Sequence, residues 1–215
     1  MKDIGEVSSV LGIRVTKDEL KGMIAIDQSQ YIEGMLERFS MADCNPVATP
    51  IDLNQNLSSN MCPTNEIEKH GMAKVPYMQA IGCLLFASQI TRSHICFAVN
   101  LLSRFSTNPG KAHWTAIKRV MRYLKVTMLY GLVFNKEASD ITGFCDADWG
   151  SDLDEKRSTT GYIFQFQGSP ISWCTRRQRT VALSSIEAEF MSLTAAIQEA
   201  TVATATTTLA DTKCN

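Results

Sequence analysis

Gly143-Phe-Cys-Asp-Ala-Asp-Trp-Gly-Ser-Asp152 and, further along, Ala182-Leu-Ser-Ser-Ile-Glu-Ala-Glu-Phe190 decide how this chain is read. The first runs out of an alternating stretch, 141–148, that reads as a strand. The second opens a helix, with Ser184 as cap and Glu187 three residues on as the reciprocal arm of a capping box. Both segments carry acids where a metal-dependent nuclease needs them. Phosphodiester chemistry on two metals needs several converging carboxylates, because two ions about 3.5–4 Å apart must both be held. Two segments supply half of such a site.

Outward from these segments, residues 160–166 and 171–174 complete three strands, and the Gly168-containing turn at 167–170 makes the last two a hairpin. The helix is expected over 185–200. Beyond it, 201–208 is a Thr/Ala tract of poor helix propensity, read as a frayed or foreign tail.

Upstream, two short strands are expected at 8–15 and 23–27. An amphipathic helix follows at 28–39, with Ile32, Met35, Leu36 and Phe39 on one face and Ser29 as its cap. Residues 40–76 hold Pro46, Pro50, Pro63 and Pro76 among many Asn, Ser and Thr, and read as an extended linker. Three helices come next, at 77–90, 93–105 and 112–127. In the third, Trp114, Ile117, Val120, Met121 and Leu124 form the apolar stripe and core, with Lys118, Arg119, Arg122 and Lys125 on other faces.

A hydrophobic content of 45% in 215 residues is enough for a real core, and the net charge of −1 favours no class of partner. That average hides a partition. Between Lys69 and Lys136 stand ten basic residues and no acid, whereas the rest of the chain holds eleven bases and all 22 acids. A polyanion is the simplest partner for such a middle, and a solvated basic helix face is the alternative. The seven cysteines form no CxxC and no cluster with His at zinc spacing, so they read as reduced thiols of a cytoplasmic or nuclear protein. No apolar run is long enough for a membrane span, and no secretory leader follows Met1.

A family resemblance then emerges. Leu11-Gly-Ile-Arg-Val15, Gln30-Tyr-Ile-Glu-Gly-Met-Leu-Glu-Arg-Phe39, Pro46-Val-Ala-Thr-Pro50, Tyr77-Met-Gln-Ala-Ile-Gly82, Ala98-Val-Asn-Leu-Leu-Ser-Arg-Phe105 and His113-Trp114 resemble the stretch after the polymerase palm in copia-type retrotransposon Pol polyproteins. Cys145-Asp-Ala-Asp-Trp-Gly150, Ser158-Thr-Thr-Gly-Tyr162 and Val181-Ala-Leu-Ser-Ser-Ile-Glu-Ala-Glu-Phe190 resemble the opening of that family's RNase H domain. The resemblance implies an α+β fold: a helical thumb and connection-like region, then a truncated RNase H-like three-stranded antiparallel sheet with one helix. Its segments are 1–76 (post-palm, with the Pro/Asn-rich linker), 77–136 (basic, helical), 137–200 (RNase H-like) and 201–215 (an atypical tail).

The same resemblance implies site residues. Asp146 on the first strand and Glu189 on the first helix correspond to metal-binding catalytic acids, with Glu187 as the fallback to Glu189; Asp148 and Asp152 read as turn and strand-end carboxylates. The family's other metal-binding acids lie on elements beyond that helix, and its polymerase aspartates lie before Met1. The expectation is a vestigial pair, no nuclease activity, and magnesium as an ancestral cofactor without a functional site here. The 141–148 strand is expected to expose an unpaired edge. The expected partner is an RNA–DNA hybrid or other nucleic acid, held weakly through Lys111, Lys118, Arg119, Arg122 and Lys125, with no membrane involved. A second class of reading is a recruited non-enzymatic protein, such as a secreted effector that meets a host protein and suppresses defence or cell death. Against it, the nearest string to Arg-x-Leu-Arg is Arg122-Tyr-Leu-Lys125, in mid-chain.

Overall fold

In the computed structural model, which describes residues 7–52, 55–136 and 140–213 and side chains of the last helix as far as Val202, the chain carries six α-helices and two antiparallel sheets. The α+β expectation holds. The chain divides into two units, Met1–Asn135 and Lys136–Asn215.

The first unit has a sheet in the order β1 (Ser9–Val10), β2 (Ile13–Asp18), β3 (Met23–Asp27), β4 (Gly131–Asn135). The expected single strand over 8–15 is in fact a tight hairpin. Leu11 and Gly12, with φ of 52° and 76°, reverse the chain between β1 and β2. Strand β4 was not expected. Its local signal is weak, and it is a strand because Leu132 pairs with Ile26 and Phe134 with Ile24.

Helix α1 (Ser29–Arg38) follows β3 directly. Ser29 is not its cap. The carboxylate of Asp27 accepts from the Ser29 backbone N–H at 3.0 Å and from its hydroxyl at 2.6 Å, while Arg14 Nε donates to the other oxygen at 2.8 Å. These partners hold Asp27 below the usual carboxylate range despite the desolvation that opposes them. The stretch expected to be a linker contains α2 (Glu66–Ala73), capped by Asn65, whose side chain accepts from Glu68 N at 2.8 Å. A capped helix of eight residues has too little apolar periodicity to stand out among prolines.

Helices α3 (Tyr77–Ile90), α4 (Cys96–Ser103) and α5 (Lys111–Val126) form the core with α1. The first turn of the helix expected over 93–105 is a 3₁₀ turn, Ser93–Ile95, and the α-helix proper starts at Cys96. Ile32, Leu84, Val99, Ile117, Val120 and Leu124 are wholly buried, as is Met121; Trp114 is only partly so.

Besides Asp27, a second charge is buried in this unit. Arg92 is completely buried, and its guanidinium donates to Thr127 O at 2.7 Å and Met128 O at 2.6 Å. Those carbonyls follow the last turn of α5, where acceptors are left over and a cation is favoured. Burial pushes the Arg92 pKa down to about 10, still far above neutrality. His94 beside it packs edge-on against Tyr123 and Tyr130, with ring centroids 5.4 and 6.5 Å away. Desolvation, and then the Arg92 charge, push its pKa down to about 4.

The second unit has the order β5 (Thr142–Ala147), β6 (Thr159–Phe166), β7 (Ser169–Arg177), followed by α6 (Ser185–Lys213). β7 starts earlier and ends later than expected. Gln167 and Gly168, with φ of 51° and 80°, complete the turn alone, and Pro170 enters the strand beside the register shift at Phe164/Gln165, where its missing N–H is tolerated. The expected tail after residue 200 is instead a continuation of the helix backbone to Lys213. Extending a nucleated helix costs only a few tenths of a kcal/mol per Thr relative to Ala, far less than starting one. Thr201 helps by donating its hydroxyl to Ile197 O at 3.1 Å.

Replacing Arg92 by Leu strands two buried carbonyls and is expected to lower stability by about 2–4 kcal/mol, measured by urea unfolding. His94 yields a pH test. Its folded-state pKa lies below its unfolded value, so its contribution is complete above about 6.5 and is lost as pH falls toward 4, and because the residue is solvent-exposed, screening keeps the effect small. The urea midpoint should therefore drop between pH 7 and pH 5, and drop less in His94→Gln; an equal drop in both would refute the assignment.

Candidate metal centre and candidate nucleic-acid interface

Asp146 lies near the end of β5 and Glu189 in the second turn of α6, both exposed. What joins them is Ser192, one turn after Glu189. Its buried hydroxyl lies 2.6 Å from Asp146 O and 3.2 Å from Gly161 O, clamping α6 onto the β5–β6 pair. A second buried clamp sits nearby. Gln178 Nε2 donates to Thr160 Oγ1 at 3.1 Å and to Ala188 O at 2.9 Å. Asp146 and Glu189 are thus brought to the same end of the unit.

The remaining acids of the two segments are engaged elsewhere. Asp148 accepts from the backbone of Thr159 and from the hydroxyl of Ser151, closing the loop after β5. Asp152 is buried and accepts from Arg177 Nη1 at 2.7 Å; Glu155 shares that guanidinium at 3.0 Å. The bond to Asp152, with Glu155 beside it, raises the Arg177 pKa above its usual value. Glu187 serves the helix start: its N–H donates to Ser184 Oγ at 3.1 Å, and its carboxylate accepts from Leu183 N at 2.7 Å. Trp149, unassigned from the sequence, ties the β5 loop to the approach of α6 through Nε1 to Ala182 O at 3.1 Å. Among the described residues, no three of His, Cys, Asp and Glu come together in a way that could hold a metal ion.

The basic candidates lie along α5 and divide into two groups. Arg119 donates to Asp52 Oδ2 at 3.3 Å and Thr49 Oγ1 at 2.9 Å. Arg122 Nε donates to Asn45 O at 2.6 Å, and Lys125 Nζ to Cys44 O at 2.9 Å. These three side chains pin residues 44–52, which contain Pro46 and Pro50, along the helix. Lys111 is exposed and Lys118 half-buried, and neither reaches that segment. Sequence reasoning missed the pinning because the partners lie 67 to 81 residues away.

The six cysteines whose state is described, at 44, 62, 83, 96, 145 and 174, are free thiols. Among the described residues no helix is long and apolar enough to cross a membrane.

No family model and no solved structure matches the chain. Curated proteins do. Over 194 residues, 90% of its length, the chain is 43% identical to the retrovirus-related Pol polyprotein from transposon TNT 1-94 of Nicotiana tabacum, of which it spans 15%. It is 45% identical over 130 residues to Secreted RxLR effector protein 161 of Plasmopara viticola, covering 92% of that protein, and 34% identical over 206 residues to an uncharacterized mitochondrial protein of Arabidopsis thaliana, covering 80% of it. Over most of its length the chain is similar to retrovirus-related Pol polyproteins of transposons, of which it spans 11–15%, and it is retrotransposon-derived.

Proposed function

We propose that this stretch of Pol handles nucleic acid without cleaving it: the first unit lends a weak basic contact, and the second carries the opening of an RNase H-like fold whose carboxylates are too few for catalysis. The observation behind the reading is where the acids go. Asp148 closes a loop and Asp152 neutralises Arg177, so of the motif's acids only Asp146, with Glu189 across the helix clamp, remains for a metal. Two carboxylates offer little charge to offset the dehydration of magnesium, which gives up its water reluctantly. Lys111 and Lys118 are the side chains to contact phosphates, while Arg119, Arg122 and Lys125 act first as the clamp on residues 44–52.

A second reading, recruitment as a non-enzymatic effector that meets a host protein, is supported by the match to nearly the whole of an effector-named protein. The string Arg122-Tyr-Leu-Lys125 does not serve it as a leader motif, since it is helical and two of its side chains are bound to the loop. Expression in plant tissue challenged with a cell-death elicitor tests this reading; unaltered cell death counts against it.

The purified chain is expected to leave an RNA–DNA hybrid intact in magnesium. Cleavage that Asp146→Asn abolishes would overturn the proposal. In filter binding, affinity for a hybrid should fall steeply with salt, and Lys111→Glu or Lys118→Glu should each reduce the log–log salt slope by about 1. Arg122→Ala with Lys125→Ala should behave differently, costing about 1–3 kcal/mol of stability and opening residues 44–52 to proteolysis. No binding at low salt would reduce the basic stretch to a helix surface.

A further inference from the structure

Lys111, Lys118, Arg122 and Lys125 recur at i, i+7, i+11 and i+14, so they form one stripe along α5, about 21 Å long at a rise of about 1.5 Å per residue. In its first half Lys111 is exposed and Lys118 half-buried. The second half is occupied by residues 44–52. Arg122 Nε donates to Asn45 O at 2.6 Å and Lys125 Nζ to Cys44 O at 2.9 Å, while Arg119, beside the stripe, reaches Asp52 and Thr49. α5 lies within the acid-free stretch between Lys69 and Lys136, so the carboxylate of Asp52 comes to this helix from outside that stretch. Residues 45–51 belong to neither helix nor strand, and among the described residues their main chain makes no backbone–backbone hydrogen bond. Pro46 and Pro50 remove two N–H donors that could have tied the segment elsewhere. What holds it is the three cationic side chains, with Cys44 and Ile51 packed partly against the core near its ends.

We propose that residues 44–52 are a displaceable strap: a polyanion seated on Lys111 and Lys118 continues along the stripe, takes Arg122 and Lys125 from their carbonyls, and lifts the segment off α5. The inference rests on the nucleic-acid reading above and adds the regulation of that contact. Exchange is favoured by what each acceptor offers. Arg122 gives the neutral Asn45 carbonyl a single Nε bond, whereas a phosphate carries a full opposite charge and can meet a guanidinium through two parallel N–H bonds. Asp52 is the only acid of the segment and its one charged hold on the helix. Its pair with Arg119 spans 3.3 Å with the side chains 39% and 27% exposed, so solvent and salt screen it. Closed, the strap neutralises Arg119 and covers the second half of the stripe, which leaves two lysines to set the resting affinity. Open, Arg119, Arg122 and Lys125 join them along one track. The strap is therefore an internal competitor for the phosphates, built from a segment 67 to 81 residues away in sequence.

Cys44 reports on the strap directly, being a half-buried free thiol in the residue whose carbonyl receives Lys125. At low salt, a short RNA–DNA hybrid should speed the labelling of Cys44 by N-ethylmaleimide about threefold or more relative to Cys83 on α3, read by peptide mass spectrometry. Salt that releases the hybrid should return the rate to its resting value. Asp52→Asn should bind the hybrid about twofold tighter or more, with a log–log salt slope steeper by about 1, because Arg119 then joins the contact. Arg122→Ala with Lys125→Ala should label Cys44 at the fast rate with or without the hybrid. A hybrid that binds while Cys44 labelling stays unchanged or slows would sink the strap and leave the nucleic-acid reading standing, as would an Asp52→Asn chain that binds no tighter than wild type. A wild-type chain that binds no hybrid at low salt would remove both.

Discussion

The hydroxyl of Ser192, buried between helix and sheet, lies within hydrogen-bonding distance of two main-chain carbonyls, Asp146 O and Gly161 O. A bulkier residue there would lift α6 away, and an apolar one would leave carbonyls facing a dry gap, at about 1–3 kcal/mol. Glu189 stands one turn before Ser192, so this clamp also fixes how near the helix carboxylate comes to the strand carboxylate. Gln178, just after β7, repeats the arrangement, gripping Thr160 and Ala188 O. The placement of Asp146 relative to Glu189 thus follows from a packing solution based on small residues and buried polar ties.

The same solution has a cost. A helix that approaches a sheet through Ala188, Ala195 and Ala196 buries little apolar area. Its large side chains Ile186, Phe190, Leu193 and Ile197 are exposed. In the first unit the balance is reversed: α1, α3, α4 and α5 bury large aliphatic side chains against one another, and the buried Arg92 is tolerated because two carbonyls at the end of α5 receive it. Both units carry a buried charge, Arg92 against two main-chain carbonyls in the first and Asp152 against Arg177 in the second.

How much of this was legible in the sequence follows from how local each cause is. The helical stripes of α1 and α5, the three strands of the second unit and the Ser184–Glu187 cap rest on neighbours within a few residues, and all are readable. Strand β4 is different, because Leu132 owes its conformation to Ile26, over a hundred residues earlier. Asp27 displaced Ser29 as the helix-capping acceptor for a similar reason: its carboxylate was recruited by Arg14 from the adjacent strand. The basic run on α5 shows the limit most sharply. Sequence reports charge, but not that Arg119, Arg122 and Lys125 spend their donors on a distant proline-bearing segment.

The motif around Asp146 illustrates why lineage is easier to read than chemistry. A stretch such as Cys145-Asp-Ala-Asp-Trp-Gly150 can be kept for its geometry alone. Asp148 holds the loop to Thr159, and Trp149 holds it to Ala182 O. Those uses preserve the letters whether or not a metal ever binds, since each is satisfied within the unit. Catalysis asks for something the letters do not encode, the convergence of further carboxylates from distant elements on one point. A pattern satisfied by local bonds therefore carries a resemblance while leaving its chemistry to the elements that must meet it.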